Sequence, residues 1–271
     1  MSETRLYNKV AILLTGCINP NGMCYTALQC ADIRKVHYLE AIDFYLQETN
    51  LRIVFCENTD TNIFDEIISP KKYERLEYLT FQGNNYDKSR GKGYGEARTI
   101  KYAIEHSQYI QSVDYIIKIT GRVKILNISN LLKRRIPRKK DLVAMTEFSA
   151  LDYAKSVCFG ASKDWLFTTV SKYDELLQDG NFDFEMMLGT SIAVTPGLRI
   201  VPWFPIVDGI CGGTNKRYLN RCMPQRKVDH YYIQYYIYKN RREQAFLYTH
   251  ISKLCWLYSI VVRKLYFCIY S

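Results

Sequence analysis

The chain predicts an α/β fold, a mostly parallel sheet flanked by helices, with a basic, aromatic and mainly helical segment at its C-terminal end. Three observations predict this. Short apolar, β-branched runs of strand length alternate with longer amphipathic runs, a spacing that means βαβ units. Several of the short runs end in a glycine or asparagine turn, as a strand feeding a crossover does. The charge is divided unevenly: within residues 216–271 eleven Lys and Arg stand against Asp229 and Glu243, a net of +9 of the chain's +10.

The elements follow in order. VAILLTG, residues 10–16, is a first buried strand. Leu14-Thr15-Gly16-Cys17 also fits the small-residue pattern of a lipoprotein cleavage site. The apolar stretch before it, 10–14, is too short for a secretory core of roughly 7–15 residues, so a strand closing on a glycine turn is the reading. ADIRKVHYLEAIDFYLQE, 31–48, is an amphipathic helix with Ile33, Val36, His37, Leu39, Ile42 and Leu46 near one side. LRIVFCEN is the second strand, NIFDEII a short helix and LEYLTF the third strand. GYGEARTIKYAIEHSQYI is a helix opened by glycines, and DYIIKITGR the fourth strand. DLVAMTEF, SVCFGAS and LRIVPWF add strands, with helices at DWLFTTVSKYDELL and FEMMLGTSIAV. The change of charge sets the boundary, giving an α/β domain over 1–215 and a basic aromatic segment over 216–271. No run approaches the roughly 18–20 apolar residues of a membrane-spanning helix. Nine cysteines without a CxxC pair, and no His at zinc-ligand spacing, point to reduced, buried, cytosolic thiols.

Chemistry concentrates in four places. In DYIIKITGRVKI, Lys118, Thr120 and Arg122 alternate, which puts them on one face of an extended strand. The C-terminal end of such a strand is where open α/β sheets bind ligands, and a cationic, hydroxyl-lined spot suits a nucleotide diphosphate. An edge strand with a solvated polar face is the alternative. In RGKGYGE, Gly91, Gly93 and Gly95 let backbone approach a ligand, Lys92 adds charge, and the following helix offers its first amides to an anion. The spacing is neither GxGxxG nor a P-loop, and taken alone a flexible surface turn is the better reading; the ligand reading gains from the helix feeding directly into the Lys-Thr-Arg strand. In FDFEMMLG, Asp183 and Glu185 are either helix-start carboxylates or a general base, with Glu185 the first choice and Asp183 the second. IVDGICGGTNKRY carries glycines 209, 212 and 213 into Lys216 and Arg217, as a loop that closes on phosphate or as a plain hairpin turn.

Taken in sequence, the first strand and its turn, FCEN, GKGYGE, IIKITGR and the late DGICGG resemble bacterial glycosyltransferases of the glycosyltransferase-A fold, over residues 8–220. The resemblance implies a Rossmann-like sheet and a hexosyltransferase-type enzyme of capsule, O-antigen or lipopolysaccharide biosynthesis. Its substrates would be a nucleotide-sugar donor and a lipid-linked saccharide acceptor. Thr15, Gly16, Glu57 and Asn58 would line the nucleotide pocket, with Lys92, Gly93, Gly95 and Glu96 over the ribose and diphosphate. One departure matters: the family's DxD metal motif is replaced by Thr120-Gly121-Arg122, which lacks carboxylates for Mg²⁺ or Mn²⁺. Arg122 and Lys118, helped by Lys216 or Arg217, are then the cations left to neutralise the departing diphosphate. Metal-independent transfer without a cofactor is the expectation.

Ten of the 23 tyrosines follow Lys216, interleaved with basic residues. Such a segment suits an interface helix, so residues 228–271 are expected on the anionic, cytoplasmic face of the inner membrane, or packed on the body as a helical hairpin. A nucleic-acid-binding α/β protein using this tail is the rival reading, though it leaves the near-neutral body unexplained. A dehydrogenase is disfavoured because no GxGxxG follows the first strand.

Overall fold

The computed structural model describes residues 9–134, 142–145, 148–150, 153–195, 199–202 and 205–218. The expectations for residues 219–271 lie outside the described residues. The first half of the chain forms β1 (Val10–Gly16), α1 (Ala31–Glu48), β2 (Arg52–Glu57), α2 (Lys72–Arg75), β3 (Leu76–Thr80), α3 (Lys92–His106), α4 (Gln108–Gln111) and β4 (Tyr115–Thr120). The second half forms β5 (Lys124–Ile125), α5 (Ile128–Arg134), β6 (Leu142–Met145), β7 (Phe148–Ala150), β8 (Tyr153–Ala154), β9 (Cys158–Ser162), α6 (Lys163–Tyr173), α7 (Phe184–Val194), β10 (Arg199–Pro202) and β11 (Val207–Asp208).

Seven strands make one sheet in the order β10-β6-β9-β4-β1-β2-β3. Every pairing is parallel except those of β9, which runs against both β4 and β6. The mostly parallel α/β architecture read from the sequence is therefore the one observed. Both faces of the central strands are covered, which is why they read as unbroken apolar runs. Ile12, Leu14, Phe55, Ile117 and Ile119 face α1 and pack with Tyr38, Ile42, Tyr45 and Leu46. Leu13, Val54, Cys56 and Ile116 face the other way, against Ala97, Ile100 and Ile104 of α3 and Leu188 and Ile192 of α7.

Helix α1 has the expected bounds but not the expected face. Its buried residues are Arg34, Tyr38, Ala41, Ile42, Tyr45 and Leu46, while Ile33 and Val36 are 47% and 49% exposed. The inward stripe belongs to side chains whose polar tips find partners at depth. The Tyr45 hydroxyl donates to Val123 O and accepts from Ile125 N, both at 2.9 Å. Arg34 donates from Nε to Cys17 O at 2.7 Å, and the Tyr38 hydroxyl accepts from Cys17 N at 2.9 Å. Satisfied in this way, two tyrosines and an arginine displace two aliphatic residues from the core. The long helix expected over 93–110 also breaks, because Ser107 caps a new turn by accepting from Ile110 N at 2.9 Å while its hydroxyl donates to Glu77 at 2.6 Å.

The topology fixes where a ligand can enter. From β1 the chain builds outward to β2 and β3, then returns to place β4 on the opposite side of β1. The strand order reverses between β1 and β4, and the carboxyl ends of strands at such a reversal are the usual crevice of an open α/β sheet. Thr15 and Thr120 are register partners there.

Candidate functional site

Strand β4 supplies the floor of the crevice. Lys118 and Thr120 share a face as period two requires, and it is the face covered by α3 and α7. Lys118 is fully buried, with its ammonium 5.8 Å and 6.0 Å from the ring centres of Phe159 and Phe184. It donates to Ser156 O at 2.7 Å, lies 3.5 Å from Thr120 Oγ1 and is ion-paired with Glu96 of α3. Three acceptors for three N–H groups are what make a buried ammonium tolerable. The carboxylate is the outer member of the pair, its side chain 19% exposed, and accepts from Thr15 Oγ1 at 3.3 Å. Lys118 therefore acts from beneath the crevice rather than from its wall.

The alternation does not extend to Arg122. β4 ends at Thr120, and the chain turns at Gly121, whose amide donates to Thr15 O at 2.9 Å. Arg122, 9% exposed, points instead at the 209–218 hairpin and donates to Ile210 O. A Cβ on Gly212 would collide with its guanidinium, so glycine there leaves the arginine its space. The hairpin is fastened on its other side by Ala27 N and Leu28 N, which donate to Gly212 O at 2.8 Å and 3.1 Å.

The glycine segment opens α3, but its first amides are taken. The Asp179 carboxylate accepts from Lys92 N at 2.9 Å and Gly93 N at 3.1 Å. A Cβ on Gly93 would lie 2.6 Å from Asp179 Oδ1 and 3.2 Å from Phe184 N. The glycines thus admit a carboxylate of the protein itself. Burial pushes the Asp179 carboxyl up despite these two amides and the nearby Lys92. The Lys92 side chain remains exposed at the head of the helix.

The two carboxylates at the start of α7 divide their roles. Asp183 is the N-cap, accepting from Met186 N at 2.8 Å. Glu185 has no capping duty and accepts a hydrogen bond from the Ser156 hydroxyl at 2.5 Å. Burial pushes its carboxyl above the ordinary value of 4.5, and the negative charges of Glu96 and Asp183 push the same way. The Ser156 bond and Lys92 oppose them. Ser156 is therefore the link between two halves of the site: its carbonyl accepts from Lys118 and its hydroxyl serves Glu185. The Tyr153 phenol, pushed up to about 12 chiefly by burial, also feels Glu185, Asp183 and Asp179.

Other sequence-selected residues lie around this centre. Gly16 ends β1 against the Phe55 ring. Glu57 is fully buried and ties a loop together, accepting from Ile18 N and Thr59 N at 2.8 Å, Thr61 N at 3.0 Å and Thr80 Oγ1 at 3.2 Å. Asn58 donates to Gly95 O at 3.4 Å, and its buried Oδ1 has no hydrogen-bond partner. Gly95 packs under the Tyr86 hydroxyl. Lys216 and Arg217 stand exposed on the hairpin, where Arg217 pairs with Asp208 at 2.7 Å. The structure thus brings Thr15, Glu96, Lys118, Thr120 and Glu185 into one network, with Arg122 and Lys92 at its margins. It leaves Glu57 in a loop scaffold and Lys216 and Arg217 on the outside. Ser156, Tyr153 and Asp179 escaped the sequence reading. Asp179 alone carried a signal, the Asp-Gly turn in LLQDGNF.

Thr120-Gly121-Arg122 follows β4 without a carboxylate, and among the described residues no three His, Cys, Asp or Glu side chains are grouped to hold a metal. The six described cysteines are all free: Cys56 and Cys158 are buried, as expected, whereas Cys24 and Cys30 are exposed. Among the described residues no helix is long and apolar enough to cross a membrane.

No protein-family model and no curated protein matches the chain. Among solved structures it is similar to a glycosyltransferase involved in the glycosylation of the major capsid of PBCV-1, at 11% identity and a TM-score of 0.44, covering 82% of this chain and 98% of that one. It is also similar to the WbbM bifunctional glycosyltransferase in its apo form, at 10% identity and a TM-score of 0.46, covering 72% of this chain and 39% of that one. The functional reading rests on the residues of the site.

Proposed function

We propose that the chain is a hexosyltransferase-type glycosyltransferase that moves a sugar from a nucleotide-sugar donor to a saccharide acceptor without a divalent metal. One observation carries the reading. Where the strand order reverses, the paired Thr15 and Thr120 belong to a network that ends in Glu185, a desolvated carboxylate held by the Ser156 hydroxyl, with Arg122 at its margin. In the reaction the acceptor oxygen bonds to the anomeric carbon as the bond from that carbon to the diphosphate breaks. Glu185 takes the acceptor's proton, and the nucleoside diphosphate departs with the bonding pair. A raised pKa, caused first by burial, makes Glu185 a stronger base. Arg122 answers the charge growing on the diphosphate, and Lys92, exposed at the head of α3, adds a mobile second cation. Lys118 acts at one remove by fixing Glu96 and Ser156.

The acceptor belongs, in this proposal, to a lipid-linked saccharide of capsule, O-antigen or lipopolysaccharide synthesis at the cytoplasmic face of the inner membrane, with residues 228–271 on anionic lipid. The support is composition: aromatic residues at headgroup level and Lys or Arg on phosphate, worth roughly 1 kcal/mol per basic residue. The test is thermal protection in EDTA by UDP, GDP, CMP and NAD. One uridine, guanosine or cytidine nucleotide should raise the melting temperature and NAD should not; protection by NAD alone contradicts the reading. Unchanged binding to anionic liposomes after deletion of 228–271 removes the membrane part.

A further inference from the structure

A second cleft, of about 520 Å³, opens beside the glycine segment and is lined by Cys24, Tyr25, Ser89, Gln178, Asp179 and Asn181, with Gly180 at its base. Its size is that of a small-ligand pocket. Its chemistry is unlike that of the crevice: the lining offers amides, hydroxyls and a carboxylate, and no Lys or Arg. A phosphate entering it would meet the Asp179 carboxylate, with no Lys or Arg in the lining itself to answer its charge. The cleft therefore selects for a ligand that is neutral and rich in hydroxyls.

Tyr25 supplies the apolar element. The residue is 59% exposed, and its backbone sits at φ +55, in the left-handed region that non-glycine residues seldom occupy. Such strain persists only where the surroundings impose it, and it collects at ligand clamps. Here the surroundings are visible: Ala27 N and Leu28 N are tied to Gly212 O, and a Cβ on Gly180 would come within 3.0 Å of the Tyr25 hydroxyl. Backbone strain thus holds Tyr25 in the cleft lining, with its hydroxyl against Gly180 and with Gln178 and Asn181 in the same lining. A flat ring beside amides and hydroxyls matches the two surfaces of a pyranose, a C–H face and an equatorial rim of hydroxyls.

The cleft also lies near the proposed base: Asp179 in its wall accepts from Lys92 N and Gly93 N, and a Cβ on Gly93 would lie 3.2 Å from Phe184 N, next in sequence to Glu185. Asp179 in its wall is close enough to Asp183 and Lys92 to feel both charges, and Lys92 acts on Glu185 as well. Tyr153 lies under the influence of Glu185, Asp183 and Asp179 together. We infer that this cleft binds the acceptor saccharide, with Tyr25 stacking on a sugar ring and Gln178 and Asn181 bonding its hydroxyls. The inference rests on the glycosyl-transfer reading, and it adds the ring and the two amides that recognise the acceptor.

The test is saturation-transfer NMR on the full chain with cellobiose, maltose, lactose and chitobiose, beside UDP, GDP and CMP. At least one disaccharide should bind the wild-type protein, and Tyr25→Gly should weaken it by about tenfold or more, the loss of one stacking contact near 1.4 kcal/mol. Glycine accepts φ +55 without strain, so Tyr25→Gly should melt no lower than wild type and bind nucleotide equally. Nucleotide binding without any disaccharide binding, or a Tyr25→Gly variant that binds disaccharide as wild type does, overturns the inference and leaves glycosyl transfer standing. Disaccharide binding that Tyr25→Gly abolishes, with no nucleotide bound, upholds the cleft and sinks glycosyl transfer.

Discussion

Replacing Lys118 with Met leaves the Glu96 carboxylate without its ammonium and Ser156 O without its donor. Lys118 is fully buried and the Glu96 side chain only 19% exposed, so water replaces little of what is lost. Removing one partner of a buried pair costs about 3–5 kcal/mol, and the partial exposure of Glu96 puts the expectation at the lower end, about 3 kcal/mol. In a chain of this size each kcal/mol moves the melting temperature by roughly 2–4 °C, so Lys118→Met should melt about 6–12 °C lower. Adding Glu96→Gln removes the stranded charge and should restore about 1–2 kcal/mol, a coupling visible in a double-mutant cycle. Urea denaturation at neutral pH measures it: the midpoint falls while the slope stays constant. The reasoning fails if Lys118→Met is as stable as wild type and instead weakens donor binding. That result would put the ammonium in the crevice wall rather than beneath it.

Further expectations follow from the same geometry. Glu185→Gln should lower kcat by about 10²–10⁴-fold with little change in donor KM, and unaltered turnover excludes the base assigned here. Because the folded pKa of Glu185 is raised above 4.5, its stabilising contribution is complete below that value and is lost as pH rises through the folded pKa. Glu185→Gln should therefore not lower the melting temperature at pH 7, as a calorimetric scan will show. Ser156→Ala removes a bond that holds this carboxyl down, so the acidic limb of the rate profile should move to higher pH; a limb that stays in place separates Ser156 from Glu185. Arg122→Ala should cut turnover far more than stability, and a stable, fully active variant refutes its role. Gly93→Ala drives a methyl into Asp179 and Phe184 N and should cost about 1–3 kcal/mol, read as a lowered urea midpoint.

The sheet was legible because its central strands are buried on both faces and announce themselves as apolar runs; VAILLTG and FEMMLGTSIAV have the bounds read from sequence. The face of α1 was not, because hydropathy ranks Ile33 and Val36 above Tyr38 and Arg34 and cannot anticipate that Cys17 and Leu28 will satisfy the polar tips. Lys118 and Thr120 were correctly placed together by period two, but their depth depended on α3 and α7, which arrive from distant sequence. Arg122 escaped the pattern because the strand ends two residues before it. The glycines of RGKGYGE did mark a close approach to backbone, yet the group that approaches is Asp179, 86 residues away from Gly93, a contact no local pattern carries.

The central claim is that Arg122, helped by Lys92, takes the place of a metal against the departing diphosphate. Nucleotide release from UDP-, GDP- and CMP-sugar donors, measured in the presence of a disaccharide acceptor with EDTA and again with added Mn²⁺ or Mg²⁺, tests it most directly. Equal turnover of one donor under both conditions is the predicted result. Turnover that vanishes in EDTA and returns with Mn²⁺ would contradict it.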